Sequence, residues 1–401
     1  MDCVNVYNRD YLSLLRRPVL YPKFKVVILS HAEQEIAEFT QDISTNNAGT
    51  ISVNYHSGVR RTCSITLFDP DGKLIPSQTS YLWINRKFKL YIGLYDPTIG
   101  DTYWFAQGVY YVVDPSVSRT DRLITINGVD KFGIFGSETG YSSMTGTHVI
   151  TAGTNVYSAF KDILLLPFGD GNVVDPIPPF IDPNLRDVEL PYDINKAPGT
   201  YFSDLLIELA NIEGADIFYD VNGRLCVVSG TMDQNYSNVS SIYDFDTSID
   251  TCSSLTLDFD YVNTINSVTV VGMDSEGNYV DTYTARNENP RSPTRIELIG
   301  EKTYYEESET CYDADRVYDY ATLLLKQKSV MQRSMTWNCT LMPHLDVDKV
   351  VTMTDGYYGY TRERMIIRDL TIPLSVGQDM NISACSIAEM PYWELRSGES
   401  T

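Results

Sequence analysis

Paired acidic residues are the pattern in this sequence that could carry out chemistry. In residues 255–260, LTLDFD, apolar and polar residues alternate, so a strand would place Asp258 and Asp260 on one face. Residues two apart on a strand are separated by roughly 6–7 Å, which lies within the range of the acid pair of an inverting glycosidase. One hypothesis is therefore a glycan-acting β-fold hydrolase that uses this carboxylate pair. The competing explanation, and the more common one, is a solvated strand face.

Two further acidic patterns are weaker. Asp244 and Asp246 have the same spacing and the same two explanations. Asp69 and Asp71, followed by a glycine, faintly resemble the start of a calcium-binding loop. Such a loop needs a glutamate at its last position, where this chain has Ser80. We expect a hairpin turn there instead.

Other catalytic and ligand-binding motifs are missing from the sequence. It contains no nucleophile elbow, no phosphate-binding loop, no HExxH motif and no glycine-rich dinucleotide turn. The histidines are too scattered to predict a ligand cluster, and the cysteines include no CxxC pair. We therefore expect no catalytic residue, no cofactor and no metal site, with the thiols reduced and buried. The histidines are His31, His56, His148 and His344, and the cysteines are Cys3, Cys63, Cys226, Cys252, Cys311, Cys339 and Cys385.

The charge and length of the chain limit its class. A formal net charge of -22 disfavours a protein that grips nucleic acid, because the phosphate backbone is also anionic. The plain explanation of this net charge is solubility. No run of about 18 apolar residues occurs, so we expect no membrane-spanning helix. The start of the sequence has no signal-peptide pattern, and we expect folding in a cytoplasm.

The elements that would carry these residues are mostly strands. Residues 8–17 predict a short helix capped by Asn8 and ended by Pro18, within an N-terminal arm over 1–19. Short strands separated by turn signals follow. They predict a first β-barrel domain over residues 20–145.

The middle of the chain has a different pattern. Helical spacing of apolar residues predicts helices over 155–166 and from a Thr200 cap to Gly214. Asn222-Gly223 predicts a hairpin after them. Residues 167–198 hold seven prolines and predict a stiff surface loop. Together these features predict a small α+β module over residues 146–250.

A second β-rich region follows the middle module. We expect a second β-barrel domain over residues 251–390, with an inserted helix at 313–333, and then a short tail at 391–401.

Strand-and-turn segments occur twice in the same order. Residues 65–72 and 270–277 share one outline, and the segments from Tyr110 to Ile126 and from Met365 to Ser383 share another. An internal repeat fixes the architecture of a chain. The predicted fold class is therefore mainly β with an α+β insert, in which two similar β-barrel domains flank a small helix-hairpin module.

The order of these elements resembles a known family. Residues 8–18, NRDYLSLLRRP, followed by the strand of residues 24–28, FKVVI, resemble the start of tail hub proteins from phages and prophages of Gram-positive bacteria. The strand-rich region, the helix-hairpin module and the closing β-domain with its inserted helix are similar to the same phage tail baseplate hub family. The resemblance lies in order and outline over nearly the whole chain.

The resemblance implies a structural protein and no enzyme. A hub of this kind would be a homotrimer whose two β-barrel domains alternate around a ring, presenting a pseudo-sixfold surface to the tail tube. It would join the tail tube and distal tail proteins to the tip or spike protein, in a virion tail assembled in the host cytoplasm. DNA would pass through its channel without specific binding, and Asp258 and Asp260 are the candidate channel-facing acids.

Overall fold

The fold is described by a computed structural model that covers most of the chain. Some residues named in the sequence analysis lie outside the described part of the chain: Cys3, Asn8, His56, Asp260 and the tail at 391–401. The structure describes residues 9–387 except 18, 41–42, 44–47, 56–57, 78, 84–85, 139–143, 169–171, 186, 230–238, 260–261, 263, 275–276, 309–310 and 330–332.

The first part of the chain forms an antiparallel sheet. A short helix precedes it, and a 3-10 helix at Lys131–Phe135 follows it. Its strands are hydrogen-bonded in the order β3-β4-β7-β6-β5-β1-β2. Their buried positions alternate with exposed ones in β4, as expected for a strand with one face on a core. The elements are α1 (Arg9–Leu15), β1 (Pro22–Leu29), β2 (Glu35–Phe39), β3 (Gly49–Asn54), β4 (Arg61–Phe68), β5 (Lys87–Asp96), β6 (Asp101–Ser118) and β7 (Leu123–Asp130).

The middle module has its own apolar core around two helices. The predicted hairpin is present, and the second helix ends at Gly214, which has the left-handed φ of 73° that favours glycine at a helix end. Thr200 is not the cap of that helix: the cap position is Tyr201, and its side chain makes no capping bond. The elements are β8 (His148–Ile150), α2 (Val156–Leu164), β9 (Phe180–Ile181), β10 (Ile194–Lys196), α3 (Phe202–Glu213), β11 (Ala215–Tyr219) and β12 (Leu225–Ser229).

The last part of the chain adds a second set of strands to the large sheet. An inserted unit interrupts this set. In that unit, a separate three-stranded sheet packs on a helix. The elements are β13 (Tyr243–Asp246), β14 (Cys252–Phe259), β15 (Ser267–Met273), β16 (Tyr279–Arg286), α4 (Ile296–Ile299), β17 (Thr303–Ser308), α5 (Ala314–Lys328), β18 (Arg333–Cys339), β19 (Val350–Asp355), β20 (Tyr360–Pro373) and β21 (Met380–Ser386).

One strand order occurs twice. The first set runs β3-β4-β7-β6-β5, and the second runs β14-β18-β21-β20-β19, with every neighbouring pair antiparallel. The long strand of each set also shifts its register against its partner, after Val113 in β6 and after Ile367 in β20. The likeness between Tyr110–Ile126 and Met365–Ser383 in the sequence therefore corresponds to equivalent hairpins.

The two sets are joined by backbone pairing. Strand β3 pairs with the second half of β20, where Ile51 lies opposite Ile372 and Val53 lies opposite Leu370. All four side chains are buried in one apolar core that contains residues from both sets. The mainly β fold that the sequence predicted is confirmed, with the two sets continuous in a single sheet.

Three expectations are corrected. Residues 270–277 do not repeat 65–72, because β15 lies in the inserted sheet, whereas the strand of the second set that is equivalent to β4 is β18. The two segments look alike because a strand followed by a turn with Asp and Gly is common to many hairpins. Residues 243–246, which the sequence analysis grouped with the middle module, form β13 and pair in parallel with β19 of the large sheet. The helix predicted over 313–333 ends at Lys328, and the alternating apolar residues from Arg333 enter the sheet instead.

The six described cysteines are free, and five of them are buried. Among the described residues, no helix is long and apolar enough to cross a membrane.

Replacing Gly49 by alanine should destabilise the chain strongly. Gly49 begins β3, and its φ of 127° disfavours side chains. A Cβ there would lie 1.9 Å from the carbonyl oxygen of Ser64 in β4. Adding backbone strain to overpacking gives a loss of about 3–5 kcal/mol in urea unfolding. Gly100→Ala is the matched control, because φ is 72° and the space around it is open; it should cost about 1 kcal/mol. Equal losses would contradict the close approach.

Candidate functional site

Asp258 lies on an exposed strand at the end of the large sheet. Its strand, β14, pairs with β18, where Ser334 is opposite Asp258. The Asp258 side chain is exposed, whereas Leu257 beside it is half-buried and packs against the main core. The alternation that the sequence predicted therefore holds at these two positions. Since Asp260 lies outside the described residues, the structure places one member of the expected pair.

The second acid pair is engaged in local bonds. Asp244 accepts hydrogen bonds from Ser241 and Thr352 and pairs with Arg362 at 2.8 Å. Partial burial acts to raise the pKa of Asp244. The hydrogen bonds and Arg362 together outweigh burial, so the pKa lies below its ordinary value. A glycosidase acid needs a raised pKa so that it keeps its proton.

Asp246 has a similar role in a turn. Its carboxylate accepts hydrogen bonds from the Ser248 backbone N–H at 2.9 Å and from the Ser248 hydroxyl at 2.6 Å. These two bonds lower the pKa of Asp246. Neither acid of this pair is suited to donating a proton.

A cleft in the middle module has apolar walls. It has a volume of about 440 Å³ and is lined by residues that include Phe135, Leu166, Val174 and Phe202. Among the described residues of the lining, His148 is the only titratable one, and its ring lies edge-on to Phe202. The part of the lining that the structure describes therefore holds no carboxylate pair of the kind that glycan hydrolysis needs.

The described histidines have structural environments. His344 is buried, and its Nδ1 lies 2.9 Å from the Tyr11 hydroxyl on α1; burial lowers its pKa to about 3. His31 stacks on Phe168 and its Nε2 lies 2.6 Å from the Val173 carbonyl oxygen. Among the described residues, no group of three or more His, Cys, Asp or Glu side chains could hold a metal ion.

A buried ion network fixes the sheet to the middle module. Lys131, at the start of the 3-10 helix, lies 2.6 Å from Glu33 and 2.8 Å from Asp175. Glu33 also pairs with Lys87 of β5 at 2.8 Å, and the Tyr219 hydroxyl donates to Asp175. Sequence reasoning missed this network, because Lys87 and Lys131 lie at the ends of elements, where charged residues are usually exposed.

The charges of this network offset one another's burial. Burial acts to raise the pKa of Glu33, but Lys131 and Lys87 outweigh it, so the pKa is lowered. Burial and repulsion from Lys131 lower the pKa of Lys87. Because the pKa of Glu33 is lowered on folding, its stabilisation is present above the unfolded pKa and is lost on acidification. The network links the large sheet to the middle module.

Two segments of the large sheet, like β2 and β13, are paired on one edge only in the described part of the chain. Strand β14 pairs with β18 alone, and residues 113–118 of β6 pair with β7 alone. Large apolar side chains are exposed on both: Val117 is 48% exposed and Phe259 is 44% exposed. Open edges with apolar side chains are typical of surfaces that pair with another strand. Their sequence shows only alternation, which does not reveal which edges stay open.

The sequence and the structure were compared with those of known proteins. No protein-family model matches the sequence, and no curated protein matches it. The structure is similar to the tail protein of Neisseria meningitidis MC58, with a TM-score of 0.58 and 12% identity over 91% of this chain and 96% of that one. It is also similar to the 43 kDa tail protein of prophage MuSo2 from Shewanella oneidensis, with a TM-score of 0.56 and 13% identity over 91% and 97%.

A third similar structure is a chain of the Francisella PdpA–VgrG complex in its half-lidded form. The TM-score is 0.52 and the identity 13%, over 94% of this chain and 60% of that one. The first two likenesses show that the fold of those tail proteins extends over 91% of this chain.

Replacing Lys131 by methionine should weaken the link between sheet and module. The change leaves Asp175 buried without its ammonium partner, and breaking a buried pair in this way costs about 3–5 kcal/mol. Chemical unfolding monitored by fluorescence measures the loss. Lys73→Met is the matched control, because its pair with Asp71 is exposed, and we expect no measurable change there. A Lys131→Met protein as stable as wild type would show that the network contributes little.

Proposed function

We propose that this chain is a structural hub protein of a phage tail, which forms a homotrimeric ring between the tail tube and the tail tip. The observation that carries the proposal is the double occurrence of one five-strand order in a chain that has the fold of tail proteins. The proposed location is the tail baseplate of a virion assembled in the host cytoplasm.

Symmetry explains why one chain would hold the five-strand unit twice. Three copies of the chain contain six units, because each copy contributes two. A ring with six similar units around its axis matches a sixfold tube, although it has only threefold symmetry. The proposed partners are the tail tube and distal tail proteins on one side and the tip or spike protein on the other.

The charge of the chain suits a conduit for DNA. A net charge of -22 repels the phosphate backbone, and this repulsion acts within about 8 Å at physiological salt. We assign Asp258 and Asp260 to the inner face of the ring. Asp258 supports this assignment because it is exposed on the face of β14 opposite the core.

The proposed function requires no catalysis. The acids at 244 and 246 are bonded within turns and strands, and the described residues that line the apolar cleft include no carboxylate. These observations support a structural role over the glycan hydrolase.

The purified chain should be a trimer. Native mass spectrometry at micromolar concentration and moderate salt should give the mass of three chains, and multi-angle light scattering checks it in solution. The expected cause is that the open strand edges and exposed apolar side chains are covered by other copies. A stable monomer under these conditions would contradict the proposed ring.

The wild-type ring should not bind duplex DNA, whereas Asp258→Lys should create binding. Three lysines on the inner face would contact phosphates, and the affinity would fall as salt rises. Mobility shift at several salt concentrations measures this. Glu297→Lys is the control, since it reverses an exposed charge on α4 of the inserted unit. An equal gain in DNA affinity in both variants would contradict the assignment of Asp258 to the inner face of the ring. DNA binding by the wild-type ring that weakens as salt rises would contradict a channel that repels DNA.

A further inference from the structure

One strand of the first set pairs with one strand of the second set inside the chain, but the equivalent strands at the other ends of the two sets do not pair with each other. The internal joint uses β3 from the first set and the second half of β20 from the other. The repeat makes β14 the equivalent of β3, and β6 the equivalent of β20. Each of those two segments has an outer edge with no strand partner within the described part of the chain.

The pairing registers show which residues are equivalent in the edge strands. Ile51 of β3 lies opposite Cys63, which lies opposite Gly128 of β7. In the second set, Leu257 of β14 lies opposite Met335, which lies opposite Ala384 of β21. Gly128 lies opposite Val112, and Ala384 lies opposite Ile367. The likeness of residues 110–114 to 365–369 aligns Val112 with Ile367, and with that alignment Ile51 and Leu257 occupy the same place in their sets.

The same registers extend to the long strands. Beyond Val112 in β6 and Ile367 in β20, each strand contains one register shift. Val117 follows Val112 at the same distance along the chain as Ile372 follows Ile367, so Val117 is the equivalent of Ile372. Val117 lies opposite Ile124, which belongs to the main core, so it is on the core face as Ile372 is.

We propose that β14 of one copy pairs antiparallel with residues 115–118 of β6 in a neighbouring copy, so that Leu257 lies opposite Val117. The internal pair of Ile51 and Ile372 sets this register, and it also places Asp258 opposite Ser116. The proposal rests on the proposed trimeric ring and names the strands that join it.

The side chains at the two edges fit this joint. In the internal joint, Ile51 and Ile372 are buried. Their equivalents in the isolated chain are only partly covered: Leu257 is half-buried and Val117 is 48% exposed. Strand addition would cover both and would supply backbone hydrogen bonds to the two edges.

The joint also closes the ring. Each copy provides one internal joint and one β14 edge, and it receives the next copy at β6. Three copies therefore form three internal joints and three joints between copies, all of one type. A heterologous contact of this kind is self-limiting when the rotation closes.

A disulfide between Ser116→Cys and Asp258→Cys tests the register. Residues directly opposite in an antiparallel pair have Cα atoms about 4.5–5.5 Å apart, a separation that a disulfide spans. The variant is made in a Cys3→Ser, Cys252→Ser background and oxidised mildly. Non-reducing electrophoresis should show linked dimers and closed trimers. Each single cysteine variant should remain one chain.

The pair Ser118→Cys with Asp258→Cys is the register control. It keeps the same face but is displaced by two residues, about 7–8 Å across the pair, so linking should be much weaker. A native trimer in which the first pair fails to link, or links no better than the control, would overturn the joint and leave the ring intact. A native monomer would overturn the ring and the joint with it.

Val117→Asp gives a second measurement that needs no disulfide. A carboxylate in the joint should dissociate the trimer at concentrations where wild type stays assembled, while circular dichroism shows an unchanged fold. Val149→Asp is the matched control, because Val149 is a 49% exposed valine on β8 of the middle module. It should remain a trimer. A trimeric Val117→Asp protein would also overturn the joint.

Discussion

The edges of strands are the constraint on which this structure depends. A strand at the end of a sheet presents backbone N–H and C=O groups that must be paired or solvated, and apolar side chains beside them promote association. Each five-strand set has one such end strand and one long strand that extends beyond its neighbour. Pairing β3 with β20 satisfies one edge of each set within a single chain.

That joint makes the two sets one body. Side chains from both belong to a common core, which includes the fully buried Trp337 and Tyr110. The middle module is tied to the same sheet by the buried ion pairs of Lys131 and by Arg60, whose guanidinium lies 3.5 Å from the centre of the Phe218 ring. In the proposed ring, such fixed geometry would keep the spacing of the six units constant.

The sequence predicted the local features better than the pairing. The hairpin at Asn222-Gly223 and the equivalence of Tyr110–Ile126 with Met365–Ser383 were correct, because turn residues and alternation are local signals. The match of residues 270–277 was wrong, because alternation does not say which sheet a strand joins. The exposure of Asp258 was predicted by alternation, whereas the open edge beside it depends on long-range register.

The two copies of the five-strand unit differ in the link between their first two strands. In the first set, residues 55–60 connect β3 to β4, whereas residues 260–332 connect β14 to β18 and include the inserted sheet and α5. A long insertion in a connection costs little closure entropy, since the cost grows only with the logarithm of its length. The strand order can therefore be kept while one unit gains a new surface. In a ring, that surface would occur three times, beside every second joint, so a sixfold set of strands could present threefold features to a threefold partner.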